Sequence, residues 1–349
     1  MPPETKPART RHVAADDRTP LVLLFYDGYE LKAREALGPR LFHQARCRAR
    51  AIWRRARGKQ VNTGFYAAFL ALVEGLRQSG CEVRINDFAA ARARPGYPVG
   101  LAGYPDVLTR VDLPNPTIFG PGDPGYPDTA GKWARQDKVR YVIQPSQWYV
   151  DYYRPYCGDK MLRCPVGIDT GAIQDARTLP KSIDVLIYDK IRWHRDVLVG
   201  AVRDRLTARL EAAGLSYQVL EYGRHTQQMY FAALRAARSM AFLCEHETQG
   251  LACEEAMAMN VPVFVWEEGK LVDPRQQPFA APGLVVSNVP YFDEHCGRTF
   301  TLDDLEPSFD AFWRDLDRFR PRDLIVRELS PTDTARVYLD RYVAMIDPA

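Results

Sequence analysis

Two short apolar runs, Met240-Ala241-Phe242-Leu243-Cys244 and Val261 to Trp266, enclose the stretch from Glu245 to Asn260, and no other passage restricts the chain so tightly. Runs of this length read as strands buried on both faces, which belong to parallel sheets with helical crossovers. The stretch between them supplies the helix, so the passage is a βαβ unit of an α/β protein. Gly250 stands where that helix begins. Backbone N–H groups from Gly250 to Cys253 are left free at the positive end of the macrodipole, where an anion docks. Glu247 lies just before the helix and Glu255 in its second turn, eight positions on. Carboxylates are out of place beside a phosphate cradle unless they hold sugar hydroxyls. An acid in the first turns commonly does no more than complement the dipole, and that is how Glu254 reads.

The set Glu247, Gly250, Leu251, Glu255, Ala256, Met257, Ala258, Pro262 and Val263 resembles, in register, the E-x7-E signature of retaining glycosyltransferases of family 4, the glycosyl transferases of group 1. Two positions depart: Gln249 stands for the usual Phe and Asn260 for the usual Gly. Asn also tolerates the left-handed turn that ends a helix. The resemblance implies a GT-B fold, two Rossmann-like domains facing each other across a cleft, and extends over the chain from about Leu21 onward.

At 349 residues the chain exceeds one average core, which independently favours two domains. Lys plus Arg number 47 against 44 Asp plus Glu, a balance too even to argue for nucleic acid. The seven cysteines are odd in number and form no C-x-x-C pair, so they read as reduced core residues of a cytoplasmic protein. No stretch has the length and apolarity of a membrane span. Residues 1–19, polar and rich in Pro, Arg and Asp, read as a disordered leader without the apolar core of a signal peptide.

Leu21 to Tyr26 is a buried strand. From Arg40 to Lys59 the chain is basic, and at about 100° per residue Leu41, Phe42, Ala45, Ala49, Ile52, Trp53 and Ala56 share one arc. Arg46, Arg50, Arg54 and Arg57 fall beyond one edge of it, Arg48 and Arg55 beyond the other. This is the pattern of a helix lying on an anionic membrane surface, and equally that of a core helix with a solvated basic face. Gln60 to Gly64 leads into an apolar helix, Phe65 to Leu76, with Thr63 as a candidate cap. The loop Gly120 to Gly125 places Asp123 at a strand end, where an Asp before Pro reads either as a polar site residue or as an Asx-turn former. Val139 to Gln144 is a strand, and the aromatic helix after it should stop at Pro155. Met161 to Thr170 then ends the first domain, and a polar linker runs to Lys181. Strands at Ile183 to Tyr188, Tyr217 to Tyr222 and Leu284 to Val286 are expected in the second, with helices to Ala213, from Thr226 to Ala237, and from Pro331 to about Met345. The resulting division is a leader, 1–19, an acceptor-side domain, 20–170, a donor domain, 171–330, and a last helix, 331–349, crossing back to the first domain.

The resemblance also implies roles. Lys190 and Arg195 match the two basic residues of the family's loop after the first donor-domain strand with their types exchanged, and Arg192 could replace either. They would neutralise the donor diphosphate with the Gly250 and Leu251 N–H groups. Glu255 would hold ribose hydroxyls and Glu247 those of the transferred sugar. Gly64 would face the pyrophosphate, Gly223 would lie by the base, and Asp123 would take the place of a histidine the family often carries near the acceptor. The implied reaction is transfer of a sugar from a nucleotide-sugar donor to a saccharide or lipid-linked acceptor, with retention, in surface polysaccharide or glycolipid synthesis. No metal or other cofactor is implied. The alternatives are an epimerase or hydrolase of nucleotide sugars on the same fold, and a non-catalytic module recruited to membranes by the basic segment.

Overall fold

The computed structural model describes residues 19–57 and 61–346. Most of the expected leader, the last two residues of the basic segment (58 and 59) and the last three residues of the chain lie outside them. Two parallel sheets organise the molecule. The first holds β1 (Leu21–Asp27), β2 (Glu82–Ile85), β3 (Val99–Gly103), β4 (Thr117–Gly122), β5 (Val139–Gln144) and β6 (Met161–Arg163), in the order β2-β1-β3-β4-β5-β6. The second holds β7 (Ile183–Asp189), β8 (Tyr217–Glu221), β9 (Ala237–Leu243), β10 (Val263–Trp266) and β11 (Gly297–Phe300), in the order β11-β10-β9-β7-β8. Every pairing is parallel. Each sheet is therefore covered on both faces, which is why the central strands are almost continuously apolar. Each order reverses once, between β1 and β3 and between β7 and β9, and at such switch points the strand ends diverge to leave a crevice.

The helices of the first domain are α1 (Leu37–Ala56), α2 (Gly64–Gln78), α3 (Phe88–Arg92), α4 (Val107–Arg110), α5 (Pro127–Ala134) and α6 (Gln147–Cys157). Those of the second are α7 (Arg195–Leu198), α8 (Arg205–Ala212), α9 (Gln227–Ala236), α10 (Leu251–Ala258), α11 (Leu305–Arg314) and α12 (Pro321–Glu328). The last helix, α13 (Pro331–Val343), begins at Ser330, whose hydroxyl accepts the Asp333 N–H, and packs on the first domain. Tyr342 fixes it there: its hydroxyl accepts the Leu23 N–H at 2.9 Å and donates to the Pro98 carbonyl. At Gly75 of α2 a Cβ would lie 2.3 Å from the Pro331 carbonyl oxygen, so glycine permits the close approach.

Three local expectations are corrected. α6 continues two residues past Pro155 and stops at Gly158, φ 61°. Burial of Tyr152, Tyr153 and Cys157 outweighs the one N–H that proline lacks. The helix expected up to Ala213 is α7 and α8 joined by a π-helical stretch, Val199–Asp204. Leu284 to Val286 is not a strand; Val285 is 71% exposed, and the sheet edge is taken by β11. That position demands Gly297, where a Cβ would meet the Val263 carbonyl oxygen at 1.9 Å.

The long connection from β10 to β11 instead crosses to the first domain. Phe279 stacks on Tyr126 with ring centres 5.5 Å apart, and Tyr152 donates to the Gln276 carbonyl at 3.2 Å. Tyr291 donates to the Pro145 carbonyl at 2.6 Å. The aromatic content of α6 is thereby explained as the floor on which this connection rests.

Candidate active site

At the switch point of the second sheet, β7 and β9 lie side by side with Asp189 opposite Leu243, and the Lys190 N–H bonds the Leu243 carbonyl at 2.8 Å. Residues just beyond these two strand ends must therefore meet. Lys190 Nζ lies 2.6 Å from Glu247 Oε1, and Arg192 Nη2 lies 3.6 Å from the same oxygen. Cys244 Sγ approaches it too, at 3.2 Å. Both Lys190 and Glu247 are nearly buried, at 13% and 11% side-chain exposure. Burial alone would push the Glu247 carboxyl up, but Lys190 and Arg192 outweigh it and hold the group below the usual carboxylate range. Burial likewise opposes the charge of Lys190, and Glu247 reverses that, so the ammonium is held above its ordinary value. Lys190 Nζ also sits 4.5 Å from the centre of the Tyr222 ring.

Gly250 begins α10 in the left-handed region, φ 89°, and leaves the first N–H groups of the helix without a side-chain cap. A Cβ there would lie 2.9 Å from the Asn288 carbonyl oxygen. Asn260 ends the helix with φ 60°, the conformation that its substitution for glycine tolerates. Leu251 opens the first turn and packs partly on the core. Glu255 Oε1 accepts from Gln227 of α9 at 3.3 Å. Burial pushes its carboxyl up to about 7 against that single hydrogen bond.

Arg195 is turned elsewhere. Its guanidinium makes a two-pronged pair with the fully buried Asp189, at 2.8 and 3.0 Å, and bonds the Ile191 carbonyl as well. Arg203 joins the same carboxylate at 3.2 Å. Of the three basic residues nominated in this loop, Lys190 and Arg192 reach Glu247 and Arg195 is bound to Asp189. Gly223 follows β8 with φ 80°. In the first domain, Gly64 opens α2, where Thr63 Oγ1 accepts the Tyr66 N–H at 3.4 Å and an added Cβ would meet open space. Asp123 forms the Asx turn: its Oδ1 accepts the Gly125 N–H at 2.8 Å. Burial pushes its carboxyl up, with that N–H opposing.

Several residues that shape the crevice were not singled out by motif. The Glu245 carboxylate accepts the N–H groups of Arg192 and Trp193, both at 2.9 Å, and so holds the basic loop in place. Its signal in the sequence is only an acid at the end of a buried strand. His246 is buried, stacks on Trp193 at 4.8 Å and meets the edge of Trp148 at 6.0 Å. Burial and Arg192 push its imidazole down to about 4, so it is neutral at physiological pH. Trp148 of α6 donates from Nε1 to the Glu247 carbonyl at 2.9 Å, tying the site to the first domain.

Gln249, the departure from the usual Phe, reaches the segment that leaves the first domain. It accepts the Val166 N–H at 2.8 Å and donates to the Val166 carbonyl at 2.9 Å. The same amide nitrogen donates to Glu254 at 2.9 Å. Glu254, read as a simple dipole complement, is 1% exposed, and burial raises its carboxyl well above the usual range. Its other oxygen has no partner among the described residues. Among the described residues no group of three or more His, Cys, Asp and Glu side chains is placed to hold a metal ion.

No protein-family model matches the chain. No curated protein matches it either. Solved structures do. A glycosyltransferase from Rickettsia africae superposes with a TM-score of 0.60 at 10% identity, over 95% of this chain and 100% of that one. Sucrose-phosphate synthase from Thermosynechococcus elongatus gives 0.59 at 14% identity, with the same coverage. Likeness at this identity is a likeness of fold, and the fold is GT-B: two parallel-sheet α/β domains facing each other across a cleft.

Proposed function

We propose that the chain is a glycosyltransferase that moves a sugar from a nucleotide-sugar donor to an acceptor with retention of anomeric configuration. One observation carries the reading: a buried carboxylate, Glu247, paired with two cations beside an uncapped helix start, at the switch point of a GT-B donor domain. A diphosphate seated on the Gly250 and Leu251 N–H groups takes over Lys190 and Arg192, and Glu247 turns to the hydroxyls of the sugar. As the bond from the anomeric carbon to the diphosphate breaks, these cations and the helix dipole absorb the charge released. Arg192 thus serves where the family resemblance suggested Arg195, which instead shapes the loop through Asp189. Glu255 faces the ribose. The chemistry requires no metal in this scheme.

The acceptor is a saccharide or a lipid-linked saccharide, and the setting is glycolipid or surface polysaccharide assembly in the cytoplasm, on the inner face of the cell membrane. No helix of the described residues is long and apolar enough to cross a membrane. The proposal is tested by thermal shift with UDP-, GDP-, ADP-, dTDP- and CMP-sugars. One of them should raise the melting temperature, and Lys190→Ala or Glu255→Ala should abolish the rise. If none stabilises the protein and Glu255→Ala changes nothing, the transferase reading is wrong.

A further inference from the structure

α1 rests on the protein with its polar face and turns its apolar face to solvent. None of the residues from Leu37 to Ala56 is buried. The half-buried positions are His43, Gln44, Cys47, Arg50, Ala51 and Arg54. At about 100° per residue these occupy one side of the helix, and the arc centred near Ala45 and Ile52 lies roughly opposite. On that outer arc Leu41 is 56%, Phe42 65% and Ile52 67% exposed. The reading of α1 as a core helix is therefore excluded by placement. It also corrects the charge map: Arg50 belongs to the inner face, where it donates to the Val61 carbonyl at 3.2 Å and pairs with Glu30 at 3.9 Å. Glu30 in turn accepts the Thr63 N–H at 2.7 Å, so polar groups tie the helix to the start of α2.

We infer that this face lies on an anionic lipid bilayer. The exposed Arg46 and Arg57 flank one edge of the apolar arc and the exposed Arg48 and Arg55 the other, and α1 holds no acidic residue. An apolar stripe between two cationic edges matches the acyl chains and the anionic headgroups of one interface at once. A second copy of the chain would bring like charges together with no carboxylate on the helix to pair them, which disfavours self-association through this face. On the transferase reading above, the contact places the first domain, which would receive the acceptor, against the membrane, so the acceptor is met there.

The test is co-sedimentation with phosphatidylcholine vesicles with and without phosphatidylglycerol. Binding should require the anionic lipid and weaken with salt. Phe42→Glu with Ile52→Glu should abolish it, and Arg48→Gln should lower partitioning roughly fivefold. Quenching of tryptophan fluorescence by brominated acyl chains should fall in Trp53→Phe, which reports insertion without adding charge. Because no α1 residue is buried, these variants should keep the wild-type melting temperature and the donor-induced thermal shift. Vesicle binding can thus fail while donor binding stands, or the reverse. Binding that ignores anionic lipid, or survives the double variant, overturns the inference. So does a dimer in light scattering that the double variant dissociates, since the face would then belong to a second copy.

Discussion

α10 and α1 are helices whose outward patterns mislead in opposite senses. α10 carries two adjacent acids in its first two turns, the mark of a solvated surface, yet Cys253, Glu254, Ala256, Met257 and Ala258 are all buried. α1 has a continuous apolar stripe, the mark of a core helix, yet none of its residues is fully buried. The difference lies in what each is packed against. α10 sits inside the second sheet's crossover, closed in by α12 and the segment after β6, so burial pushes even the Glu254 carboxyl well above its usual range. α1 lies outside the first sheet, where Arg50 contacts Val61 and Glu30. Amphipathic pattern reports which face seeks an apolar environment, and that environment need not be the protein's own core.

Breaking this comparison starts at the α10 end. Lys190→Ala should leave Glu247 with Arg192 alone and remove a preorganised cation from the leaving group, lowering the rate of nucleotide release from the donor by about 10²–10³ with the far-ultraviolet circular dichroism unchanged. Met257→Ala, on the fully buried side of α10, should cost about 2–5 kcal/mol in urea unfolding. Gln249→Ala removes both hydrogen bonds to Val166 and the partner of Glu254, and should cost about 1–3 kcal/mol. A cost no larger than that of an exposed glutamine would show that the contact with Val166 contributes nothing.

Protonation sharpens the same contrast. The Glu255 carboxyl is raised from 4.5 to about 7 in the folded protein, so the native state binds more protons than the unfolded chain between these values. Stability should therefore fall as pH rises through that window, by about 1–3 kcal/mol, and Glu255→Gln should flatten the fall. His246, lowered from 6.5 to about 4, acts in the other sense: its contribution is complete above about 6.5 and is lost as pH falls toward 4. Unfolding curves of Glu255→Gln and His246→Gln across pH separate the slopes. The smallest effect belongs to α1, where Ile52→Glu should change stability by no more than about 0.5 kcal/mol. A loss comparable to Met257→Ala would mean that α1 is packed as a core helix after all.

Much of the architecture was legible because the central strands are buried on both faces. β1 up to Tyr26 and β10 appear as unbroken apolar runs, β5, β7 and β9 hold shorter ones at Tyr141 to Ile143, Val185 to Tyr188 and Met240 to Leu243, and the glycine and acids around α10 stand in a fixed spacing that carries a resemblance. Strand ends and helix starts are local features, written in consecutive residues, so Lys190, Glu247, Gly250 and Glu255 could be nominated before any contact was known. Which cation faces Glu247 could not be. Arg192 and Arg195 are three residues apart in one loop, and their division between Glu247 and Asp189 depends on where β7 and β9 end relative to each other and on Glu245 holding the loop. The roles of Gln249 and Trp148 as ties to the first domain, and the crossing of the β10 to β11 connection, likewise required distant chain segments to meet. Periodicity likewise defined the two faces of α1 without revealing which one turns inward. That was decided by tertiary contacts at Glu30 and Val61, because a helix wheel has no inside until something packs against it.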